Sequence, residues 1–568
     1  MAHEDAALLA DCADAVLARH EPASWRHLLD DTWHHVVPIG HRARKQGWKL
    51  HVPATPLSAC IVLSRCVAVF AAHRCAFKFA RSLRELQMLV EPNARRESAG
   101  KFVTAYPDDD AHAVRIAEAL HEATVGLPGQ EILTDRRFRA SSQVYYRYGG
   151  FSPDQLLNLD GEYVSVLHDD AGNAETERRT VGRPAPGWAV DPFQQTDIGP
   201  APVPESVLVG ELYRVHTALR QTNRGGVYLA TDTGDGTEVV LKRFRRHTGA
   251  AVDNTDSFNR ARAEARLLGV LGPLGVSPKF LGLFNHRGDM FVAQERIDGV
   301  PLRRYVARHR RPTPDGALAL DTALVLDFAG QIVELLAVVH DAGYVLSDLT
   351  PNNIMVTGDD RLTLIDLESG MRSWEVGVAL STRGHTAPEL DARERLVAPA
   401  PDVAVDLYCL GATLFYLASG AHPQSAPDSP VRAMVTLMGQ RNPAMAALHH
   451  VINALLADDP RARPSLDKVR SVLHQPQPAM PAAVPDPDEL IDDMLARLRQ
   501  TMTPDAPWLW PPGAAGARYD PCSVHTGAAG VLIALHQAAM AGRGESIVDE
   551  TAQWLVSGCR TSEPPCPA

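Results

Sequence analysis

Apolar and polar positions fall into three patterned blocks separated by two stretches without pattern. The middle block, about Leu208 to Leu473, is the most regular. LVGELYRVH, GGVYLATD and EVVLKRFR alternate apolar and polar residues around a GDG turn, which predicts a meander of strands. Lys242 interrupts the last of these where an apolar or neutral residue would fit the alternation. DSFNRARAEARLLGVL then places Phe258, Ala261, Ala265 and Leu268 at helical spacing, and puts Glu264 where it can reach back to Lys242. A helix DFAGQIVELLAVVH leads into the loop GYVLSDLTPNNIMV and a strand-turn-strand, TGDDRLTLIDLE. In the first block, GWKLH reads as a strand with Lys49 and His51 on one face, because residues two apart share a face. In the last block, DELIDDMLARLRQTM carries Leu490, Ile491, Met494, Leu498 and Met502 on one helical stripe.

The unpatterned stretches, 169–206 and 474–489, are rich in Pro, Gly and charge, and are expected to be extended linkers. Domains are therefore expected at 1–200, 205–475 and 476–568, each of the outer two carrying its linker. The length of 568 residues, 45% hydrophobic and 22% charged, suits several globular units. A net charge of -12 argues against a general nucleic-acid surface. Eight cysteines without a CxxC pair read as buried hydrophobes in a reducing compartment. The acidic N-terminus has no signal-peptide pattern, and Arg65, Arg74, Asp327 and Glu334 break the most apolar runs. A soluble, cytoplasmic protein that spans no membrane is the expectation.

Acceptor residues concentrate on short turns in the middle block. Ser347-Asp348-Leu349-Thr350-Pro351-Asn352-Asn353 resembles the catalytic loop of protein kinases, Ile365-Asp366-Leu367-Glu368 their metal-binding turn, and Ala387-Pro388-Glu389 their APE motif. Asp406 with Gly411, and Arg463, are similar to C-lobe anchors. Any one of these alone is more economically read as a polar turn; the ordered set is not. The resemblance implies a bilobal fold in which Asp348 accepts the proton of a substrate hydroxyl, and Asn353 and Asp366 hold magnesium. It also implies that Lys242, fixed by Glu264, holds the phosphates of ATP or another nucleoside triphosphate under a loop containing Gly225, Gly226 and Val227. The departures are Arg220 and Thr222 in place of two loop glycines, Leu346 and Ser347 in place of His-Arg, and Glu368 in place of the glycine after the metal turn.

The first block contributes GWKLH, FKFA with Lys78 between two phenylalanines, AGKFVTAYP, and YYRYGGF. Lysines and arginines interleaved with aromatics suit an anion pocket, although single edge lysines are ordinarily solvated. These segments, a Trp188…Asp191-Pro192-Phe193 stretch and then a kinase resemble the lyase-kinase half of class III and class IV lanthipeptide synthetases, class IV more closely. The resemblance implies an α+β domain similar to phosphothreonine lyases. In it Lys78 is the base, His51 the acid, and Lys49, Lys101, Arg136, Arg147 and Tyr106 are clamps for phosphate and carbonyl oxygens.

The third block resembles the opening of an all-α, α/α toroid cyclase, cut after about one helix pair. Cys522, His525, Cys559 and Cys566 lack metal-site spacing, so zinc and ring closure are not expected of this chain. The expected function is dehydration of Ser and Thr in a leader-bearing, Ser/Thr/Cys-containing precursor peptide, by phosphorylation and then elimination. The alternatives are a plain Ser/Thr protein kinase with an N-terminal regulatory domain, and a pseudokinase scaffold.

Overall fold

The computed structural model describes residues 2–561 apart from short stretches, the longest being 178–184, 194–205, 376–381, 391–401, 424–430, 476–486 and 512–518. The proline-rich part of the second expected linker lies outside the described residues.

The N-terminal domain is built on a seven-stranded sheet: β1 Trp25–Leu29, β2 Trp33–Pro38, β3 Gln46–Val52, β4 Ala76–Ala80, β5 Val103–Tyr106, β6 Arg136–Arg137 and β7 Tyr145–Gly150. Their order is β1-β2-β4-β5-β3-β7-β6, and every neighbouring pair is antiparallel. One face is apolar. Val36, Phe77, Ala105, Leu50 and Tyr146 stand in register across it and, with Trp48 and Phe79, belong to a core shared with the helices Ala59–His73 and Asp110–Thr124. The other face is polar, as the alternation of Lys49 and His51 with Trp48, Leu50 and Val52 requires.

Much of the first expected linker is folded onto this domain. Ala174–Thr176 pairs with the strand Tyr163–His168, and Phe193 is buried against Trp48 and Tyr146. The Trp48 indole nitrogen donates to the Val190 carbonyl at 3.2 Å. Two aromatic residues, Trp188 and Phe193, give this proline-rich segment apolar area to bury, and that outweighs its extended composition.

The kinase domain is bilobal. Its small lobe is a six-stranded sheet that includes Tyr213–Gln221, Gly225–Asp232 and Glu238–Phe244, the predicted meander, backed by the predicted helix Ser257–Leu271. That helix opens with Asp256 as N-cap and Asn259 bonding back to the Asp256 backbone. The large lobe packs Thr322–Asp341 among Val403–Ser419, Pro443–Leu455 and Leu466–Leu473. Thr322–Asp341 is, among the described residues, the one helix long and apolar enough to cross a membrane, and its apolar side lies in this core. The C-terminal segment carries three helices among its described residues, Pro487–Gln500, Ala528–Met540 and Glu545–Thr561.

The two large domains are joined through Asn223, in the loop between Tyr213–Gln221 and Gly225–Asp232. Its buried side chain donates to the Glu91 carbonyl (3.0 Å) and accepts from Gln130 (2.9 Å). Arg245 bonds both the Asn223 carbonyl (2.7 Å) and the Glu131 carbonyl (2.6 Å). The nucleotide loop of a kinase is therefore anchored on the neighbouring domain.

Candidate active sites

On the polar face of the N-terminal sheet the register forms one row: His35, Lys78, Thr104, His51 and Tyr145 are successive cross-strand partners. Lys49 and Arg147 are partners one step along the same face. Lys49, His51, Lys78 and Arg147 are thus brought together by strand pairing alone. Lys78 Nζ lies 4.1 Å from the centre of the Trp33 ring, and Lys49 Nζ 5.7 Å from that of Tyr106.

His51 is buried and its Nδ1 bonds Asp135 at 2.6 Å. Lys101 Nζ reaches the other Asp135 oxygen at 2.9 Å, and Thr134 Oγ1 donates to that same oxygen at 2.8 Å. Lys101 therefore stands behind His51, bound to its carboxylate partner. Burial alone would raise the Asp135 carboxyl, but His51 and Lys101 outweigh it and hold it well below the usual carboxylate range. Burial drives the His51 imidazole down to about 3 against the pull of Asp135, with Lys101 and Arg147 pushing the same way as burial. His51 is therefore neutral at pH 7.

Arg147 makes a buried ion pair with Glu177, on the segment following Ala174–Thr176. Arg136 does not join the row. It pairs in register with Tyr146, on the apolar face, and both Arg136 Nη1 (3.0 Å) and the Tyr146 hydroxyl (2.9 Å) bond Asp191. Its neighbour Arg137 pairs with Tyr145 on the row's side and lies 4.8 Å over that ring. Asp135, Glu177, Trp33 and Arg137 were not singled out by sequence; only the position of Asp135 just before Arg136 hinted at it.

In the kinase domain every expected residue converges. Lys242 Nζ is ion-paired with Glu264 and lies 3.0 Å from Asp366 Oδ1. Asp366 takes a left-handed backbone, φ 60°, as the turn requires. Burial would raise its carboxyl, but Lys242 and Arg224 bring it down to about 2. Asp348 is the opposite case: burial pushes it up to about 6, despite the hydroxyl of Thr382 at 2.7 Å and the amide of Asn353 at 3.1 Å. Asn353 spends its amide nitrogen on Asp348, so its oxygen is the donor it offers a cation. That oxygen with the Asp366 carboxylate is the hard donor set magnesium favours, so the residues fit the ion. Asp406 accepts the backbone N–H groups of Leu346 (2.9 Å) and Ser347 (2.7 Å), holding the catalytic loop from below. Arg463 grips Glu389 with both terminal guanidinium nitrogens, at 2.5 and 2.8 Å. Gly225 approaches the Arg243 carbonyl so closely that a side chain has no room, which explains that glycine. Arg224, beside Gly225 in the loop, is ion-paired with Glu368, the residue that replaces the glycine after the metal turn.

Residues 213–476 match the protein kinase domain family, and residues 13–201 match the family described as RamC, N-terminal domain. A probable SapB synthase of Streptomyces coelicolor is 35% identical over 69% of this chain and 42% of that protein. The serine/threonine-protein kinase PknG of Mycobacterium leprae is 28% identical over 46% of the chain and 32% of its own length. The kinase drp72 of Corynebacterium efficiens is 27% identical over 48% and 54%. The chain thus spans from about a third to just over half of these relatives. Fold and site define a class first: a protein-kinase-type phosphotransferase domain joined to a RamC-type N-terminal domain. Within that class the chain resembles the lanthipeptide synthetases, the family its motifs indicated.

Proposed function

We propose that the chain dehydrates Ser and Thr of a precursor peptide in two steps, with phosphoryl transfer in the kinase domain and elimination on the polar face of the N-terminal sheet. The observation that carries this reading is the row Lys78–Thr104–His51 with Lys49 and Arg147 beside it. A plain protein kinase accounts for Asp348 and Lys242 but gives that row no task.

In the kinase step, magnesium supplies charge neutralisation of the triphosphate when bound; Asn353 and Asp366 are the residues that would hold it. Asp348 orients the substrate hydroxyl and accepts its proton, the hydroxyl taking the place from which Thr382 Oγ1 donates to the carboxylate. Lys242, fixed between Glu264 and Asp366, holds the nucleotide phosphates.

In the elimination step Lys78, as the neutral amine, takes the proton from Cα of the phosphorylated residue. The Cβ–O bond breaks, the Cα=Cβ bond forms, and phosphate leaves with a proton from His51. Lys49 steadies the charge that develops on the peptide carbonyl oxygen, and Arg147 holds the phosphate after exchanging Glu177 for it. Lys101 acts through Asp135 on His51. The phosphate dianion offsets the burial that keeps His51 neutral, so the acid is charged when the substrate is in place.

Feeding the purified chain a synthetic phosphoserine peptide tests the second step apart from the first. Release of inorganic phosphate with formation of dehydroalanine, without nucleotide, is expected. A phosphopeptide returned intact would leave only the plain kinase.

A further inference from the structure

The space lined by Arg220, Thr222, Arg224, Lys242, Asp366 and Glu368 is narrow, about 30 Å³, room for a water or two. What closes it is specific. Arg224 comes down from the loop that Asn223 anchors to the N-terminal domain, and its guanidinium meets the Glu368 carboxylate, which is buried. Glu368 in turn stands beside Asp366 and Glu264, with one carboxylate oxygen from each of the three within 4.8 Å of the others. Glu264 is fully buried, and its Oε2 has no hydrogen-bond partner among the described residues. An orphaned buried carboxylate oxygen beside two more carboxylates is costly unless a cation completes the set. Arg224 and Lys242 are the cations there, and the phosphates of a nucleotide would compete with Glu368 for Arg224.

We propose that Arg224 and Glu368 are ligands of the metal–nucleotide complex that neutralise each other in its absence. Arg224 takes the terminal phosphates, and Glu368, once released, joins Asp366 at a divalent cation. Arg224 and the departure Glu368 are then one device, since an arginine on the loop and a carboxylate on the metal turn match opposite ends of the same ligand. Glycine-rich loops grip phosphate through backbone N–H groups. Here a side chain supplements a loop that lacks two of its glycines. The inference rests on the kinase half of the proposed function and is independent of the elimination step.

Isothermal titration of the full chain with AMP, ADP and ATP, each with Mg²⁺ or with EDTA, tests it. Arg224→Ala is expected to weaken ATP by about tenfold, the loss of one charge-assisted contact, with AMP unchanged. Glu368→Gln is expected to tighten metal-free ATP, because Arg224 is set free, yet to forfeit most of the gain that Mg²⁺ gives the parent. If Mg²⁺ helps Glu368→Gln as much as the parent, Glu368 is a latch and no ligand, and the proposal fails. It fails equally if Arg224→Ala weakens AMP and ATP alike. The charge-swapped double variant Arg224→Glu/Glu368→Arg separates ligation from folding. Parental melting without Mg²⁺-dependent ATP binding supports the proposal, and parental Mg²⁺-dependent binding overturns it. A parent chain that bound no ATP would overturn the kinase reading and this inference together, a result distinct from any variant outcome.

Discussion

His51 and Lys78 stand on the same face of one sheet, each the direct cross-strand partner of Thr104 from opposite sides. Two strand spacings separate their backbones, about 10 Å. Side chains rising from that distance can converge on a single substrate residue from the same side. That suits an elimination in which the Cα proton and the phosphate are removed on one face.

The state of His51 is the first test. Burial holds it low, to about 3, so it is neutral at pH 7 and stays neutral well into acid. A bound phosphate analogue raises its pKa, and binding then takes up a proton. NMR titration of the ring with and without phosphate is expected to show this upward move. An imidazole already charged at pH 7 without ligand would contradict it.

Asp135 fixes which His51 nitrogen faces the substrate, and its carboxylate favours the charged ring. Asp135→Asn is expected to slow elimination by at least tenfold with phosphorylation intact. The loss should ease at lower pH, where the ring gains its proton without help. A rate deficit independent of pH would instead indicate collapse of the Lys101–Asp135–His51 packing.

Phosphoryl transfer is expected to rise with pH through about 6, since burial lifts Asp348 to that value and only its ionised form accepts the hydroxyl proton. Asp348→Asn is expected to remove transfer while nucleotide binding persists. A transfer rate flat from pH 5 to 8 in the parent would assign the proton elsewhere.

Regulation by activation-segment phosphorylation ordinarily needs an arginine ahead of the catalytic aspartate; here that residue is Ser347, buried and uncharged. Phosphatase treatment is expected to leave kinase activity unchanged. The support comes instead from the N-terminal domain through Asn223, so Asn223→Ala is expected to raise the nucleotide KM several-fold by loosening the loop. An unchanged KM would detach the two domains functionally.

The kinase site was legible because its chemistry sits on turns whose residue types and order are fixed by the strands between them. Residue type and order alone mark Lys242, Asp348, Asn353 and Asp366. The N-terminal site was legible only in part. Alternation puts Lys49 and His51 on one face, but their alignment with Lys78 depends on strand order, which no local pattern reveals. Arg136 shows the converse. On a strand of two residues the register alone decides the face, and it gives Arg137 to the site side. Asp135 and Glu177 carry no pattern of their own; each is defined by the cation it meets across the fold.

The most direct test of the two-step account is the mass of a Ser/Thr/Cys-containing precursor peptide after incubation with the full chain, ATP and Mg²⁺. The parent chain should yield peptide lighter by whole waters, and Lys78→Met or His51→Ala should yield peptide heavier by whole phosphates, because only the second step is stalled. Normal dehydration by both variants, or phosphorylated peptide as the sole product of the parent, would contradict the account.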